Sequence, residues 1–266
     1  MITALTERSA RVVAAAKLQR HTGRRRAGHF LAEGPNLVEA AARRGLVIEV
    51  FATEAARDRH AGLLSGLPVH EVTERAAKAL SETVTPSGLV AVCRLPEVDL
   101  DEVLAADPPL LVVAVDLSEP GNAGTLIRLA DAMGAAAVVF AGHSVDPYNG
   151  KCLRSSAGSI FAVPVVIASD SDAALARLRG AGLQVLATTL DGEVSLDDAD
   201  PMLGSPTAWV FGPEAHGLSA ELAALADHRV TIPMAGGAES LNVAAAAAIC
   251  LYQSARAQRA GSRQHG

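Results

Sequence analysis

Residues 116–128, DLSEPGNAGTLIR, combine small polar residues, two glycines and one arginine at the start of an apolar helical pattern. Gly121 and Gly124 are expected to permit turns and a close approach of the backbone, which larger side chains would block. The N–H groups at the start of the following helix favour an anion or another polar ligand. Arg128 falls on the polar side of that helix, where it either serves a ligand or forms an ion pair with Asp131, three residues further on.

Two further segments have the same construction, a short apolar strand followed by glycines and polar residues. They read GPEAHG at 212–217, after AWVF, and PMAGGAES at 233–240, after VTI. In parallel sheets, ligands gather at the carboxyl ends of the strands, in the loops that lead into helices. The three segments are therefore candidates for a binding site, and His216 is the one histidine that falls in them.

Several common chemistries lack their motifs in this chain. No G-x-G-x-x-G follows the first strand, which argues against dinucleotide-dependent hydride transfer and against an ordinary Rossmann-type methyltransferase. No phosphate-binding G-x-x-x-x-G-K-[ST] is present, and Ser240 lies in AESLN rather than in the G-x-S-x-G of a serine hydrolase. The three cysteines, Cys93, Cys152 and Cys250, are widely spaced, so neither a disulfide framework nor a metal site is expected.

Apolar strands alternate with helical patterns, which is typical of a mostly parallel sheet covered by helices on both faces. In the first half, the patterns predict strands at 46–52, 69–72 and 88–94 and helices at 6–20, 37–44, 57–64 and 74–80. In the second half, they predict strands at 110–116, 135–142, 161–167, 182–190, 208–212 and 229–234 and helices at 125–134, 149–158, 172–180, 218–226 and 241–258. The acidic segment 95–109 contains three prolines and is the predicted domain boundary.

The chain has 266 residues, of which 50% are hydrophobic and 3% aromatic. This composition is ample for a buried core, but it argues against a single-strand nucleic-acid binder that relies on many aromatic platforms. The amino terminus lacks the apolar core of a signal peptide, and the longest apolar run, residues 243–252, reaches about half a membrane span. A soluble cytoplasmic protein that needs no membrane is predicted.

Charge is unevenly distributed along the chain. The net charge is -6, but residues 1–30 hold seven basic residues against one acid, so this arm carries +6 and the remainder -12. Its densest stretch, HTGRRRAGH, is a candidate for phosphate contacts, because affinity for a polyanion depends on local basic density rather than on the global sum. The alternative is a solvated basic tail.

Three segments resemble, in order and spacing, the signature motifs of the SpoU (TrmH-type) branch of the SPOUT RNA 2'-O-ribose methyltransferases. They are DLSEPGNAGTLIRLADAMG, VFGPEAHGL and IPMAGGAESLNVAAAAAICLY. The intervening KCLRSSAGSIFAVPVV is similar to the connecting segment of the family. Upstream, HFLAEGPNLVEAA and LSETVTPSGLVAVCRLP resemble a small L30e-like substrate-binding domain. One departure is Glu119, where the family usually has aspartate; the charge is kept.

The resemblance implies an α/β protein with two domains. Residues 1–105 would form an L30e-like RNA substrate-binding domain with a basic arm. Residues 108–266 would form a SPOUT catalytic domain, a mostly parallel sheet flanked by helices with a deep trefoil knot. The family further implies S-adenosylmethionine as cofactor, no metal, and a homodimer whose active site uses both chains.

The resemblance also assigns residues. Around the reacting ribose it places Asn122, Arg128, Glu214, Ser240 and Asn242. Cofactor contacts fall on Thr188, Thr189, Leu190, Gly212, Gly217, Ile232, Met234 and Leu241. RNA contacts are expected at Arg20, Arg24, Arg25, Arg26 and Glu33.

Several of these residues have a structural alternative. Ser240 would equally serve as the N-cap of the last helix, Glu214 as a stabiliser of its loop, and Gly212 and Gly217 as turn glycines. For Arg128, the hypothesis is that it stabilises the developing alkoxide and grips the neighbouring phosphate, while phosphate or water removes the proton. A guanidinium itself is a poor proton acceptor at neutral pH.

The sequence thus predicts a 2'-O-methyltransferase for structured RNA, with 23S ribosomal RNA favoured because of the L30e-like domain. A transfer RNA methyltransferase is the nearest alternative. A noncatalytic RNA-binding or ribosome-assembly factor is the alternative from another class. The nucleotide, and the choice between routine ribosome maturation and antibiotic resistance, are not predicted.

Overall fold

The computed structural model describes residues 4–264, with side chains described up to residue 261. By the contacts among its residues, the chain forms two compact units. Unit 1 comprises Met1–Pro96 and Tyr148–Phe161, and unit 2 comprises Glu97–Pro147 and Ala162–Gly266. Unit 1 therefore includes a short segment from the second half of the sequence.

Unit 1 is built on a four-stranded mixed sheet in the order β1-β4-β2-β3. Strands β1 and β2 each run antiparallel to β4, while β3 runs parallel to β2. Its strands are β1 (His29–Glu33), β2 (Val47–Ala52), β3 (Val69–Glu71) and β4 (Leu89–Arg94). Its first six helices are α1 (Ala10–Ala16), α2 (His21–Ala27), α3 (Pro35–Arg43), α4 (Glu54–Arg59), α5 (Ala61–Leu64) and α6 (Glu74–Leu80).

The helices of unit 1 begin where the sequence supplies caps. The Thr53 and Thr73 hydroxyls accept hydrogen bonds from Ala56 N and Ala76 N at the starts of α4 and α6. One face of the sheet packs against α1 and α6. The buried residues of this core are Val12, Ala15, Leu18, Phe51, Val72, Ala76, Ala77, Leu80, Val90 and Val92. The predicted strands and helices of this half are present, but neither β1 nor α2 was predicted.

The segment Tyr148–Phe161 contains α9 (Gly150–Ser155) and a 3-10 turn at Ser159–Phe161. Asn149 caps α9 by accepting a hydrogen bond from Cys152 N. The rings of Tyr148 and Phe161 lie 5.0 and 6.1 Å from the ring of Phe30 in β1, centroid to centroid. Aromatic packing thus joins this segment to β1.

Unit 2 contains a seven-stranded sheet in the order β7-β6-β5-β10-β8-β11-β9, with every recorded pairing parallel. Its strands are β5 (Leu110–Val115), β6 (Ala137–Ala141), β7 (Val165–Ala168), β8 (Gln184–Thr188), β9 (Val194–Ser195), β10 (Thr207–Phe211) and β11 (His228–Thr231). Its helices are α7 (Leu100–Leu104), α8 (Pro120–Met133), α10 (Ser171–Gly180), α11 (Asp200–Leu203), α12 (Ala220–Ala223) and α13 (Val243–Gln264).

The central strands of unit 2 are buried on both faces. Every residue of β5, β6 and β10 is buried, which explains why these strands read as unbroken apolar runs. Because the pairs are parallel, the loops that follow β5, β8, β10 and β11 leave the same edge of the sheet. The three candidate segments therefore lie at one edge, as predicted from the order of strands and motifs.

The first motif differs from its expected form. Helix α8 begins at Pro120, so Gly121 and Gly124 lie inside the helix and neither has a positive φ. The prediction of a turn at these glycines was wrong. Proline is favourable at the first position of a helix, and α8 therefore begins five residues earlier than predicted. Helix α7 forms within the segment 95–109, which was predicted to be the domain boundary.

Among the described residues, no helix is both long enough and apolar enough to cross a lipid bilayer.

Candidate active site

Glu214, in the loop after β10, accepts hydrogen bonds from the loop after β5. Its carboxylate receives the backbone N–H of Ser118 at 3.3 Å, the Ser118 hydroxyl at 3.2 Å and the backbone N–H of Glu119 at 3.1 Å. It also receives the side-chain amide of Asn122 at 3.0 Å. One carboxylate thus joins two motifs that are about 90 residues apart, and the sequence did not single out Ser118.

Asn122 extends the connection to the third motif. Its Oδ1 accepts a hydrogen bond from Nδ2 of Asn242 at 3.1 Å. Asn242 in turn caps α13, because its Oδ1 accepts from Ala244 N at 2.9 Å. The alternative role of Ser240 as N-cap was therefore wrong, since the helix begins at Val243 and the capping position belongs to Asn242.

These hydrogen bonds also set the charge of Glu214. Partial burial alone would raise the pKa of this carboxyl group. The hydrogen bonds from the Asn122 side chain and from the backbone N–H groups, including those of Ser118 and Glu119, outweigh burial, so the net pKa lies below its ordinary value. Glu214 is accordingly an anion at neutral pH, held between neutral donors.

Asp116 starts the loop after β5 and adopts a left-handed backbone conformation with φ 49°. Aspartate is one of the few residues other than glycine that tolerate this region. Its Oδ1 accepts a hydrogen bond from His143 N at 2.7 Å, at the end of β6. Gly142 permits this approach, because a Cβ there would overlap Oδ1 of Asp116 and come within 2.9 Å of Oγ of Ser171.

Ser144 supports the same loop by hydrogen bonds. Its hydroxyl accepts a hydrogen bond from Leu117 N at 3.1 Å and lies 2.8 Å from the carbonyl oxygen of Ala141. Asp116 and Ser144 together fix the backbone that presents Ser118 to Glu214. Sequence reasoning missed both residues, although an aspartate directly after a buried strand is itself a signal for a left-handed turn.

A cavity of about 660 Å³ lies beside this hydrogen-bonded cluster. Its walls come from the loops after β8, β10 and β11 and from the start of α13. All eight residues predicted to bind the cofactor line it: Thr188, Thr189, Leu190, Gly212, Gly217, Ile232, Met234 and Leu241. Two of the predicted catalytic residues, Glu214 and Ser240, line it as well.

The chemistry of these walls fits a nucleoside with an apolar face. Leu190 and Leu241 are 68% and 38% exposed, although large aliphatic side chains are usually buried. The hydroxyl of Thr189 is buried and has no hydrogen-bond partner among the described residues. Such an unpaired polar atom is costly unless a ligand satisfies it. Gly212 is also required, since a Cβ there would overlap the backbone of Gly217 and Leu218.

The cavity also contains charged residues that the motif comparison did not assign: Asp191, Arg229 and Glu239, beside His216. The Arg229 guanidinium donates to Glu193 at 2.9 Å and approaches Asp191 at 3.4 Å, so its charge is neutralised. The lining nevertheless holds three carboxylates, those of Asp191, Glu214 and Glu239, against this one guanidinium, and the surplus of negative charge favours a positively charged ligand.

Arg128 stands apart from the cluster. It is exposed on α8, six residues beyond Asn122, and forms no hydrogen bond or ion pair with the residues whose side chains are described. The ion pair with Asp131, which was the alternative explanation for this arginine, is therefore not formed. The structure leaves the guanidinium available to an anion from outside this chain.

The residues predicted to contact RNA all lie in unit 1, and two of them have internal roles. Arg24 is only 4% exposed, and its guanidinium donates to the carbonyl oxygens of Leu18 at 2.9 Å and Gln19 at 2.8 Å. Glu33 accepts hydrogen bonds from the hydroxyls of Ser81 and Thr83, in the loop before β4. Burial of Arg24 argues against a direct phosphate contact, while Arg20, Arg25 and Arg26 are exposed and remain candidates.

Metal-ligating side chains are scattered. Within the part of the chain that the structure describes, no three His, Cys, Asp or Glu residues lie close enough together to hold a metal ion.

Comparison with known proteins adds to this geometry. Residues 109–252 match the model of the SpoU rRNA Methylase family, and residues 9–91 match that of an MRM3-like substrate binding domain. The chain is 37% identical over 237 residues to the 23S rRNA (guanosine(2553)-2'-O)-methyltransferase RlmP of Bacillus subtilis, which covers 89% of this chain and 92% of that protein.

Two further similarities come from Streptomyces viridochromogenes. A 23S rRNA (uridine(2479)-2'-O)-methyltransferase is 34% identical, over 90% of this chain and 86% of that protein. The crystal structure of the SpoU methyltransferase AviRb in complex with AdoMet superposes with a TM-score of 0.83 at 33% identity, over 95% of this chain and 99% of that one.

Proposed function

The chain belongs to the SpoU rRNA methylase family, and from this premise we propose that it transfers a methyl group from S-adenosylmethionine to a ribose 2'-hydroxyl of 23S ribosomal RNA. The observation that carries this proposal is the convergence of three distant segments at one edge of the sheet. The second and third segments, with the loop after β8, line a cavity of about 660 Å³. The first segment is joined to them by the hydrogen bonds of Asn122 with Glu214 and Asn242. The two relatives from Bacillus subtilis and Streptomyces viridochromogenes are named as 23S rRNA 2'-O-methyltransferases, which supports the choice of RNA.

The residues of the cavity suit the methyl donor. Leu190, Ile232 and Leu241 offer apolar surface to an adenine ring, and the unpaired Thr189 hydroxyl offers a hydrogen bond. When bound, S-adenosylmethionine supplies a methyl group carried on a positively charged sulfur. The acidic residues at the mouth, Asp191 and Glu239 among them, favour that positive charge.

Arg128 acts on the ribose. The 2'-oxygen becomes negatively charged as its proton leaves, and a guanidinium beside it stabilises that charge. The proton goes to the neighbouring phosphate or to water, because guanidinium groups stay protonated at neutral pH. The exposure of Arg128 and its lack of an internal partner support this role.

Glu214, Asn122 and Asn242 position the motifs. Glu214 holds the loop after β5 through neutral donors, and Asn122 passes the connection to the start of α13. We propose that this cluster keeps the ribose site and the cofactor cavity at a fixed separation, since a displacement of about 1 Å in a reacting group can cost 100-fold in rate. Ser240 would contact the substrate from the same segment.

The experiment is methyl transfer followed by mapping. Purified protein is incubated with radiolabelled S-adenosylmethionine and total RNA from cells that lack the gene, and labelled riboses are located by sequencing. Label at one ribose of 23S rRNA is expected. Label in transfer RNA instead would identify a tRNA enzyme, and no label in any RNA would identify a noncatalytic binding factor. The relatives modify guanosine and uridine, so mapping must also identify the base.

We further propose the division of labour that the resemblance implies, with residues 1–105 as the substrate-binding domain and residues 108–266 as the catalytic domain. The two family matches, to residues 9–91 and 109–252, support it. By contacts, residues 148–161 group with unit 1, so the substrate-binding part also draws on this segment. A knotted backbone in the catalytic domain and a cytoplasmic location, where ribosomes are found, belong to the same proposal.

A second copy of the chain is proposed to complete the enzyme. Helix α13 exposes Ala245, Ile249 and Tyr252 at the spacing of one helical face, with Ile249 38% and Tyr252 51% exposed. Such a face is suited to a partner helix. Light scattering should show a dimer for the wild type and a monomer without methyl transfer for Tyr252→Asp. A monomeric wild type with full activity would refute the dimer.

A further inference from the structure

Unit 1 is basic although the whole chain is acidic. It contains sixteen Lys and Arg residues against nine Asp and Glu residues, a net charge of +7. Two of the basic residues, Lys151 and Arg154, come from the segment that the fold adds to it. A polyanion responds to such local surplus charge rather than to the net charge of the chain.

Many of the carboxylates of unit 1 are committed to ion pairs on one part of the surface. Glu39 pairs with Arg43, Glu49 with Arg11, and Glu71 with Arg57, on α3 and around β2 and β3. The charges of these arginines are therefore compensated locally.

Some arginines of unit 1 have no ion pair among the described residues, and four of them lie at α2 and on α9. Arg20, Arg25, Arg26 and Arg154 are exposed, and none forms an ion pair with the described residues. We call these four residues the basic face. Arg154 was not among the residues predicted to bind RNA, because its helix belongs in sequence to the catalytic half.

Strand β1 brings the two helices together. Both α2 and α9 contact it. A narrow depression beside β1 is lined by Gln19 and Arg24 from one side and by Leu153 and Arg154 from the other. Arg154 on α9 and Arg24 on α2 thus border one depression, together with the carboxylates of Glu33 and Glu82.

Buried contacts make α2 a rigid carrier for its arginines. The Arg24 guanidinium holds the carbonyls of Leu18 and Gln19, which end the preceding 3-10 turn. Gly23 packs so tightly that a Cβ there would overlap the carbonyl oxygen of Lys17. Preorganised arginines lose less conformational entropy on binding than those on a mobile tail would lose.

The acidic residues beside the basic face are occupied. Glu33 accepts hydrogen bonds from the hydroxyls of Ser81 at 2.5 Å and Thr83 at 3.0 Å, so it holds the loop before β4. Glu82 and Arg154 both lie against Gly150 at the start of α9, because a Cβ there would come within 2.4 Å of Oε2 of Glu82 and 2.9 Å of Nη1 of Arg154, although the two side chains form no ion pair. A carboxylate at a helix amino terminus compensates the helix dipole. Glu33 is therefore better explained as a positioning residue for this loop than as an RNA contact.

We propose that Arg154 joins Arg20, Arg25 and Arg26 in binding the phosphate backbone of the substrate RNA. This inference rests on the proposed function, which makes RNA the partner. It adds to that function a phosphate-binding helix, α9, from the segment between the first two motifs. Guanidinium groups form bidentate hydrogen bonds with phosphate oxygens, and folded RNA is recognised largely through its shape and its phosphates.

The test uses the full chain and a 23S rRNA transcript without modifications. Binding of the RNA is measured by fluorescence anisotropy at several salt concentrations. For Arg154→Gln, the slope of log K against log salt should fall by about 1, as expected for one lost phosphate contact. Arg154→Lys keeps the charge and should retain most of the slope. KM for RNA should rise for Arg154→Gln, with kcat unchanged.

The matched control is Arg59→Gln. Arg59 is an exposed arginine without an ion pair among the described residues. It lies on α4, which connects β2 to β3, and these two strands form the half of the sheet away from β1. Its slope should equal that of the wild type. An unchanged slope and KM for Arg154→Gln would overturn the inference. If the wild type binds RNA but transfers no methyl group, the proposed function fails while the basic face can still be judged from the slopes.

Discussion

The two units of this protein differ most sharply in charge. Unit 1 carries +7, whereas unit 2, with seven basic and twenty acidic residues, carries -13. The net charge of -6 is the sum of these opposing values and describes neither unit. The difference separates two tasks, because a basic surface attracts RNA while an acidic cavity mouth favours a positively charged methyl donor.

The arginines show the same contrast at the level of single residues. In unit 2, Arg177, Arg179, Arg229 and Arg256 each pair with a carboxylate. Arg128 has no such partner among the described residues. In unit 1, the unpaired arginines form a surface with several members. One isolated guanidinium is suited to a single reacting oxygen, and a set of them is suited to a polymer of phosphates.

The largest expected effect comes from Arg128→Ala, which tests whether unit 2 supplies the chemistry alone. Methyl transfer should fall by at least about 100-fold, because charge stabilisation at the reacting oxygen is lost. Affinities for S-adenosylmethionine, measured by calorimetry, and for RNA should stay near those of the wild type. The control is Asp131→Ala, which should be fully active. A loss of cofactor binding in Arg128→Ala would contradict the proposed role of this arginine at the ribose.

A smaller effect is expected from the support beneath the first motif. Asp116→Ala removes the side-chain hydrogen bond from His143 N that supports the left-handed backbone at φ 49°, so kcat should fall by about tenfold through misplacement of the loop. Asp116→Asn tolerates the same backbone and keeps the acceptor, so it should restore activity. Equal activities for the two variants would show that this loop needs no such support.

The converse prediction concerns unit 1. Arg25→Gln combined with Arg26→Gln should lower the salt slope of RNA binding by about 2 and raise KM for RNA. Saturating RNA should restore the wild-type kcat, since the chemistry belongs to unit 2. A fall in kcat that saturating RNA does not restore would contradict the assignment of RNA binding to unit 1 and of the chemistry to unit 2.

The smallest effect concerns the charge of Glu214. Its pKa is lowered in the folded protein, so its contribution to stability is present above the ordinary value of 4.5 and is lost as the pH falls through the folded value. Glu214→Gln should reduce the free energy of unfolding at neutral pH by about 1 kcal/mol, because the site is partly exposed. Denaturant titrations of both proteins should converge below pH 4.5. A constant difference across that range would mean that charge is not involved.

Much of the candidate site was predictable from sequence. Unbroken apolar strands indicated a parallel sheet, and the motifs directly follow three of those strands. Since parallel strands share one carboxyl edge, the order of strands and motifs predicts that the loops meet. The eight residues predicted to bind the cofactor duly line one cavity, and their binding role stays a prediction.

Two local features were predicted incorrectly from the sequence. The pattern PGN indicated a turn, but a proline at the first helical position and the Glu119 cap make these residues the start of α8. The basic cluster at 20–26 was predicted to belong to an arm, but residues 21–27 form α2, in which Arg24 is buried. The partners are near in sequence in both cases, but whether a proline starts a helix or a turn, and whether an arginine is buried, depends on how the backbone around them folds.

By itself, the sequence determined the alternation of strands and helices, the family, and which residues stand at the strand ends. These follow from patterns a few residues long, which depend on local burial and backbone preference. Tertiary structure alone decided that Glu214 accepts from Ser118 and Asn122, that Asn242 donates to Asn122, and that residues 148–161 group with unit 1. The physical reason is that hydrogen bonds and packing between distant segments form only after the chain has folded.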